Sequence, residues 1–298
     1  MTPRRRSWAP RLAMAGAMCA AAGCVAGSAQ GLVRDERTES RQLRFDGAGP
    51  HTLDARTFSG SIRVTGDGGT DVRVRAVTAI EAETAEALQA AKRNILLEGL
   101  EQGATVALTV RDSGRAPCGE SGSWRDPAWW DRRRYSAAVT LTVQVPRDVR
   151  VRLCAVNGEE LVVSGVDGDF DVSNVNGKVR LDGMRGSGRA TTVNGSVEAA
   201  FAAAPRDESL FKTVNGGIAV TFPRDLAADL RLKTFNGEVY TDFDTTALPV
   251  APEPARRSGA PKYVYKKRGF TNVRVGAGGP ALTFDTLNGD VRILRAGR

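Results

Sequence analysis

One histidine and four cysteines in 298 residues leave little material for catalysis. A Ser-His or Cys-His system needs the imidazole as base, so it would have to be centred on His51, where no nucleophile motif lies nearby. Carboxylates alone can cleave glycosides, and Asp167, Asp169 and Asp171 alternate onto one strand face, where they could act as paired acids or hold a cation. Alternating acids on an exposed strand also serve solvation and edge protection, and the calcium-binding nonapeptide Gly-Gly-x-Gly-x-Asp is absent. The sequence therefore nominates no catalytic residue, no metal site and no cofactor.

Binding chemistry is better represented. Trp124, Trp129, Trp130, Arg132, Arg133, Arg134 and Tyr135 bring three of the four tryptophans together with an arginine run. Exposed Trp and Arg dominate binding hot spots, and Trp faces stack on sugars. The same segment could instead fold back to cover an open end of the fold. A second basic stretch lies within an insertion near residues 244–272, with Arg256, Arg257, Lys262, Lys266, Lys267 and Arg268 against Glu253.

The elements that must position these segments are declared by a repeat. An apolar residue followed by Asn-Gly recurs at Asn157-Gly158, Asn176-Gly177, Asn194-Gly195, Asn215-Gly216, Asn236-Gly237 and Asn288-Gly289, with asparagine spacings of 19, 18, 21, 21 and 52. Asn and Gly tolerate positive φ and turn the chain, and the residues that follow alternate apolar and polar as a half-buried strand does. A constant period favours stacked coils over isolated hairpins, with the asparagines in a ladder and Gly195 at positive φ. The 52-residue gap reads as one period plus an insertion. A related copy, Phe58-Ser59-Gly60-Ser61-Ile62, lies near the start, and Val145-Pro146-Arg147-Asp148-Val149 is repeated as Phe222-Pro223-Arg224-Asp225-Leu226. The prediction is an all-β chain: a β-solenoid or β-helix over 151–298 with coils of about 20 residues. A β-rich part precedes it over 30–150 with one helix near 81–93, the whole of 30–298 reading as one continuous domain.

Residues 1–29 read as an export signal: Arg4, Arg5, Arg6 and Arg11 precede an uncharged run of small and apolar residues and the cleavage pattern Gly27-Ser28-Ala29. Ala21-Ala22-Gly23-Cys24 offers a competing lipoprotein site, with Cys24 as the lipidated residue. Removing those four arginines from the 42 basic residues leaves 38 against 34 acidic ones, a net charge of +4, which argues against a nucleic-acid partner. In an oxidising compartment the two cysteines certain to remain, Cys118 and Cys154, suit a disulfide, with a free buried Cys154 as the other reading.

The serial Val-Asn-Gly-x-Val-x-Leu pattern, the Val145-Pro146 corner and the closing Leu287-Asn288-Gly289-Asp290-Val291 resemble the bacterial "putative adhesin" domain family of exported β-solenoid proteins, over roughly residues 41 to 296. The resemblance implies an adhesin-like interaction or structural module at the cell envelope, in the periplasm or at the cell surface. It brings no catalytic residues. The implied partner is an envelope glycan, a lipid surface or a protein, with membrane contact only through a lipid anchor. A carbohydrate-active β-helix enzyme and a self-assembling envelope scaffold are the alternatives from other classes.

Overall fold

The structure, a computed structural model, describes residues 32–112, 118, 134–249 and 269–297. The first elements are β1 (Val33–Leu43), β2 (Thr52–Ser59), β3 (Ile62–Asp67), β4 (Val72–Ala82), α1 (Ala85–Asn94), β5 (Ile95–Gln102), β6 (Thr105–Asp112) and β7 (Tyr135–Pro146). Strands then come in twos across each Asn-Gly turn: β8 (Arg150–Asn157) with β9 (Glu160–Ser164), β10 (Phe170–Asn174) with β11 (Lys178–Met184), and β12 (Gly188–Thr191) with β13 (Val197–Phe201). They continue with β14 (Ser209–Lys212) and β15 (Ile218–Phe222), β16 (Ala228–Lys233) and β17 (Val239–Thr241), then β18 (Thr245–Ala247) and β19 (Thr271–Val275). The last two are β20 (Ala281–Asp285) and β21 (Val291–Arg295). The described residues are thus mostly β with one short helix, and their strand contacts repeat in a solenoid-like arrangement.

Among the described residues the first strand of each pair joined by an Asn-Gly turn enters an 11-stranded sheet and the second a 10-stranded sheet, whereas β18 and β19 both lie in the 11-stranded sheet. Period-2 alternation aims one set of side chains between the sheets, so Val151, Leu153, Val179, Leu181, Ile218 and Val220 are buried while Arg152, Arg180 and Lys178 face out. Phenylalanines fill the far half of this core: Phe201 stacks on Phe222 at 5.1 Å and Phe211 on Phe284 at 5.2 Å between ring centroids.

Spatial order departs from chain order at both ends of the repeat. The 11-stranded sheet runs β18-β19-β16-β20-β14-β12-β10-β8-β2-β6-β5, and the 10-stranded sheet runs β1-β4-β7-β3-β9-β11-β13-β15-β21-β17. The final coil, β20 and β21, therefore sits between β14/β15 and β16/β17, not beyond them. Likewise β2/β3 lies between β6/β7 and β8/β9, so the early "related copy" is a full rung of the stack. The two Pro-Arg-Asp sequences make the steps. Each forms the same turn, with Val149 N–H donating to Pro146 O at 3.4 Å and Leu226 N–H to Pro223 O at 3.3 Å. Each carries the chain past one rung, which another part of the chain fills.

The Asn-Gly corners stack into a ladder in this spatial order. The Nδ2 of Asn176, Asn194, Asn215, Asn288 and Asn236 donates to Oδ1 of Asn157, Asn176, Asn194, Asn215 and Asn288 respectively, at 2.7 to 2.8 Å. Behind it runs a second ladder that the sequence reading did not include. Thr192, Thr213, Thr286 and Thr234 donate through Oγ1 to the carbonyls of Gly177, Gly195, Gly216 and Gly289, while Asn174 does so through Nδ2 to Gly158. These hydroxyls satisfy carbonyls that the corner takes out of the sheets. The reason for glycine also differs from expectation at Gly195, which does not have positive φ. Close approach is the cause: a Cβ there would lie 2.2 Å from Gly177 O.

The two ends are finished differently. Helix α1 begins at the N-cap Thr84, whose side chain accepts from Ala87 N–H, and buries Leu88 and Ala91 against the core. Beside it the edge strand β1 turns charge inward, where Lys92 Nζ donates to Asp35 at 2.7 Å and Arg37 Nη2 to Ile95 O at 2.7 Å, a device that discourages edge pairing. At the other end β19 pairs with both β16 and β18 on one sheet, whereas β17 on the other sheet has, among the described residues, a neighbour on one side only. Every residue from 235 to 242 is exposed, with Phe235 at 63%.

Candidate binding site

The outward face of the 11-stranded sheet aligns polar side chains in two rows because parallel register places one residue of each coil beside the next. One row is Asp54, Arg152, Asp171 and Arg189 on β2, β8, β10 and β12. The neighbouring row is Arg56, Cys154, Ser173, Thr191 and Lys212, continuing to Asp285 and Lys233. Arg56 is committed to Asp54 by a two-pronged pair at 2.7 and 2.8 Å. Asp285 lies between Lys212 at 3.3 Å and Lys233 at 3.6 Å. Arg152, Asp171 and Arg189 make no ion pair among the described residues.

A groove of about 380 Å³ opens at this place, lined by Asp54, Arg56, Arg152, Asp171, Ser173 and the two cysteines, with Leu153 beneath. Cys118 and Cys154 are joined by a disulfide with a Cα–Cα separation of 5.5 Å. The bond fastens Cys118 to β8 in the middle of the sheet face. In the chain-entropy view a cross-link spanning 36 residues stabilises by about 2 to 4 kcal/mol. The double variant Cys118→Ser with Cys154→Ser is expected to lower the urea midpoint accordingly. An unchanged midpoint, with thiols alkylatable in the unreduced wild type, would refute the bond.

The aromatic-basic residues divide. Trp124, Trp129, Trp130, Arg132 and Arg133 lie outside the described residues, as do Cys24 and residues 250–268 of the second insertion. Arg134 and Tyr135 are occupied at the helix end of the fold: Arg134 Nε lies 3.7 Å from Glu83 Oε2, its carbonyl accepts from Glu83 N–H, and Tyr135 Oη accepts from Asn94 Nδ2 at 3.1 Å. These two fix the return of the segment into β7.

Of the residues that could do chemistry, His51, Asp167 and Asp169 have structural partners, whereas Asp171 makes no ion pair among the described residues. His51 stacks on Phe45 with ring centroids 4.4 Å apart, and its Nε2 lies 3.1 Å from Gly47 O, a contact in which the nitrogen must be the donor. Asp167 pairs with Arg185 at 3.3 Å, and Asp169 with Arg150 at 2.8 Å while also accepting from Ser187 N–H. Among the described residues no group of three or more His, Cys, Asp or Glu side chains could hold a metal ion, and no helix is long and apolar enough to cross a membrane.

No protein-family model and no curated protein matches the sequence. Solved structures do. A "putative cell adhesion protein" from Clostridium sporogenes aligns with a TM-score of 0.46 and 8% identity, covering 88% of this chain and 100% of that one. A "putative adhesin" from Bacteroides fragilis aligns at 0.21 with 10% identity, and a "putative lipid binding protein" from Parabacteroides distasonis at 0.24 with 8% identity. Each of these two covers 87% of this chain and 97% of its own. The chain thus has a distant structural similarity to bacterial proteins that carry adhesion and lipid-binding names.

Proposed function

We propose that this chain is an exported, non-catalytic β-solenoid acting as an interaction module at the bacterial cell envelope. Residues 30–298 form one continuous adhesin-like domain behind a leader cleaved after Ala29 or, in the lipoprotein form, just before a lipidated Cys24. The observation that carries the reading is the disulfide tether. The covalent path into the tryptophan-rich segment starts at Cys118, on the sheet face where Arg152, Asp171 and Ser173 line a groove. Guanidinium, carboxylate and hydroxyl groups hydrogen-bond to sugar hydroxyls and tryptophan rings stack on sugar faces, which together constitute the chemistry of glycan recognition.

Binding of the mature protein to envelope glycans tests this. Trp129→Ala with Trp130→Ala, and separately Arg152→Ala, are each expected to weaken binding by about tenfold. Stability should stay within about 0.5 kcal/mol, as for surface changes. Full retention of binding in both variants would sink the reading. Loss of about 3 to 5 kcal/mol of stability in the tryptophan variant would make those rings a cap on the fold. A second reading, the self-assembling scaffold, is favoured by the exposed strand β17, whose outer edge has no paired strand among the described residues and could pair with another chain. Sedimentation over a concentration series separates the two.

A further inference from the structure

Asparagine followed by glycine is a self-reactive pair. The glycine nitrogen attacks the asparagine Cγ, a C–N bond forms, the bond to the side-chain amide breaks, and ammonia leaves carrying the glycine N–H proton. Water then opens the resulting succinimide at either carbonyl, leaving an aspartyl or an isoaspartyl residue. No oxidant or cofactor is needed, only freedom for the side chain to swing over the following nitrogen.

The stack removes that freedom at the interior rungs. The N–H groups of Gly177, Gly195, Gly216 and Gly289 donate to the carbonyls of Asn194, Asn215, Asn288 and Asn236 at 2.8 to 3.0 Å. Along the ladder, Asn176, Asn194, Asn215 and Asn288 each donate through Nδ2 and accept through Oδ1. Asn157 accepts from Asn176, and although Gly158 N–H has no following asparagine carbonyl among the described residues, Gly158 is buried under the rung before it, where Gly60 N–H donates to Asn157 O at 3.1 Å, whereas Gly237 is exposed. Asn236 is the last rung. Its Nδ2 holds Asn288, but among the described residues its Oδ1 receives no rung donor, and Gly237 N–H has no following asparagine carbonyl. Its neighbours from Phe235 to Asp242 are all exposed.

We propose that Asn236-Gly237 is a site of spontaneous modification in the folded protein, converting to an aspartyl or isoaspartyl residue while the five other Asn-Gly pairs persist. The change would place a new carboxylate at the open end of the ladder, next to Glu238 and Asp290.

The test uses the wild-type chain. Native and urea-unfolded samples are aged in mildly alkaline buffer and mapped by peptide mass spectrometry for exchange of the amide nitrogen for oxygen. In the native sample Asn236 should react about tenfold faster or more than any other Asn-Gly pair, because those pairs must first open locally. In urea all six should react at similar rates. Comparable native rates at all six sites, or an interior site leading, would overturn the proposal. So would a lead for Asn236 that persists in urea, since local sequence would then account for it.

Discussion

Gly195→Val is expected to cost about 4 kcal/mol or more, from overpacking plus loss of corner hydrogen bonds. A Cβ at this position would lie 2.2 Å from Gly177 O, 2.5 Å from its carbonyl carbon and 3.1 Å from Lys178 N, all backbone atoms that cannot rotate away. The corner cannot widen without breaking the bonds on either side of it. Gly177 N–H donates to Asn194 O at 2.8 Å and Gly195 N–H to Asn215 O at 3.0 Å, while Thr213 Oγ1 caps Gly195 O at 2.8 Å. Gly68→Val is the control, because a Cβ there meets nothing within 4 Å, and its cost should stay within about 0.5 kcal/mol. Urea midpoints decide. Equal midpoints would mean that the corners do not stack.

Deleting residues 281–298 is expected to abolish cooperative folding, although in a simple sequential stack it would only remove the last rung. Here it takes out an interior one. Leu282, Phe284, Val291 and Ile293 are all fully buried. At about 1.5 to 3 kcal/mol for each, their loss amounts to roughly 6 to 12 kcal/mol, comparable with the whole stability of an ordinary domain. The deletion also leaves Phe211 without its stacked partner, and β16 and β17 without the strands that join them to β14 and β15. A truncated chain that still melts cooperatively near the full-length midpoint would show that β16/β17 can seat directly on β14/β15, and the inserted order would be wrong.

The sequence by itself determined the strands, the corners and the faces, because those depend on local rules. Alternation with period 2 assigns Val179 and Leu181 inward and Lys178 and Arg180 outward whatever lies next to them, and Asn-Gly makes a corner in any coil. Even the duplicated Pro-Arg-Asp turn was legible as a duplication. Its meaning was not, since stepping over a rung is defined only by the strand that later fills the gap. The threonine two residues before Asn194, Asn215, Asn236 and Asn288 was visible too, but its task exists only where another coil's glycine carbonyl comes within reach. The arginines and aspartates of the outward sheet face were scattered over more than a hundred residues until register aligned Asp54, Arg152, Asp171 and Arg189. Rung order was beyond local rules for the same reason: every copy presents nearly the same edge, so the pattern permits many stacking orders. Contacts between residues far apart in sequence, such as Phe211 on Phe284 and Asn215 on Asn288, select the one in which the last coil closes the middle of the stack.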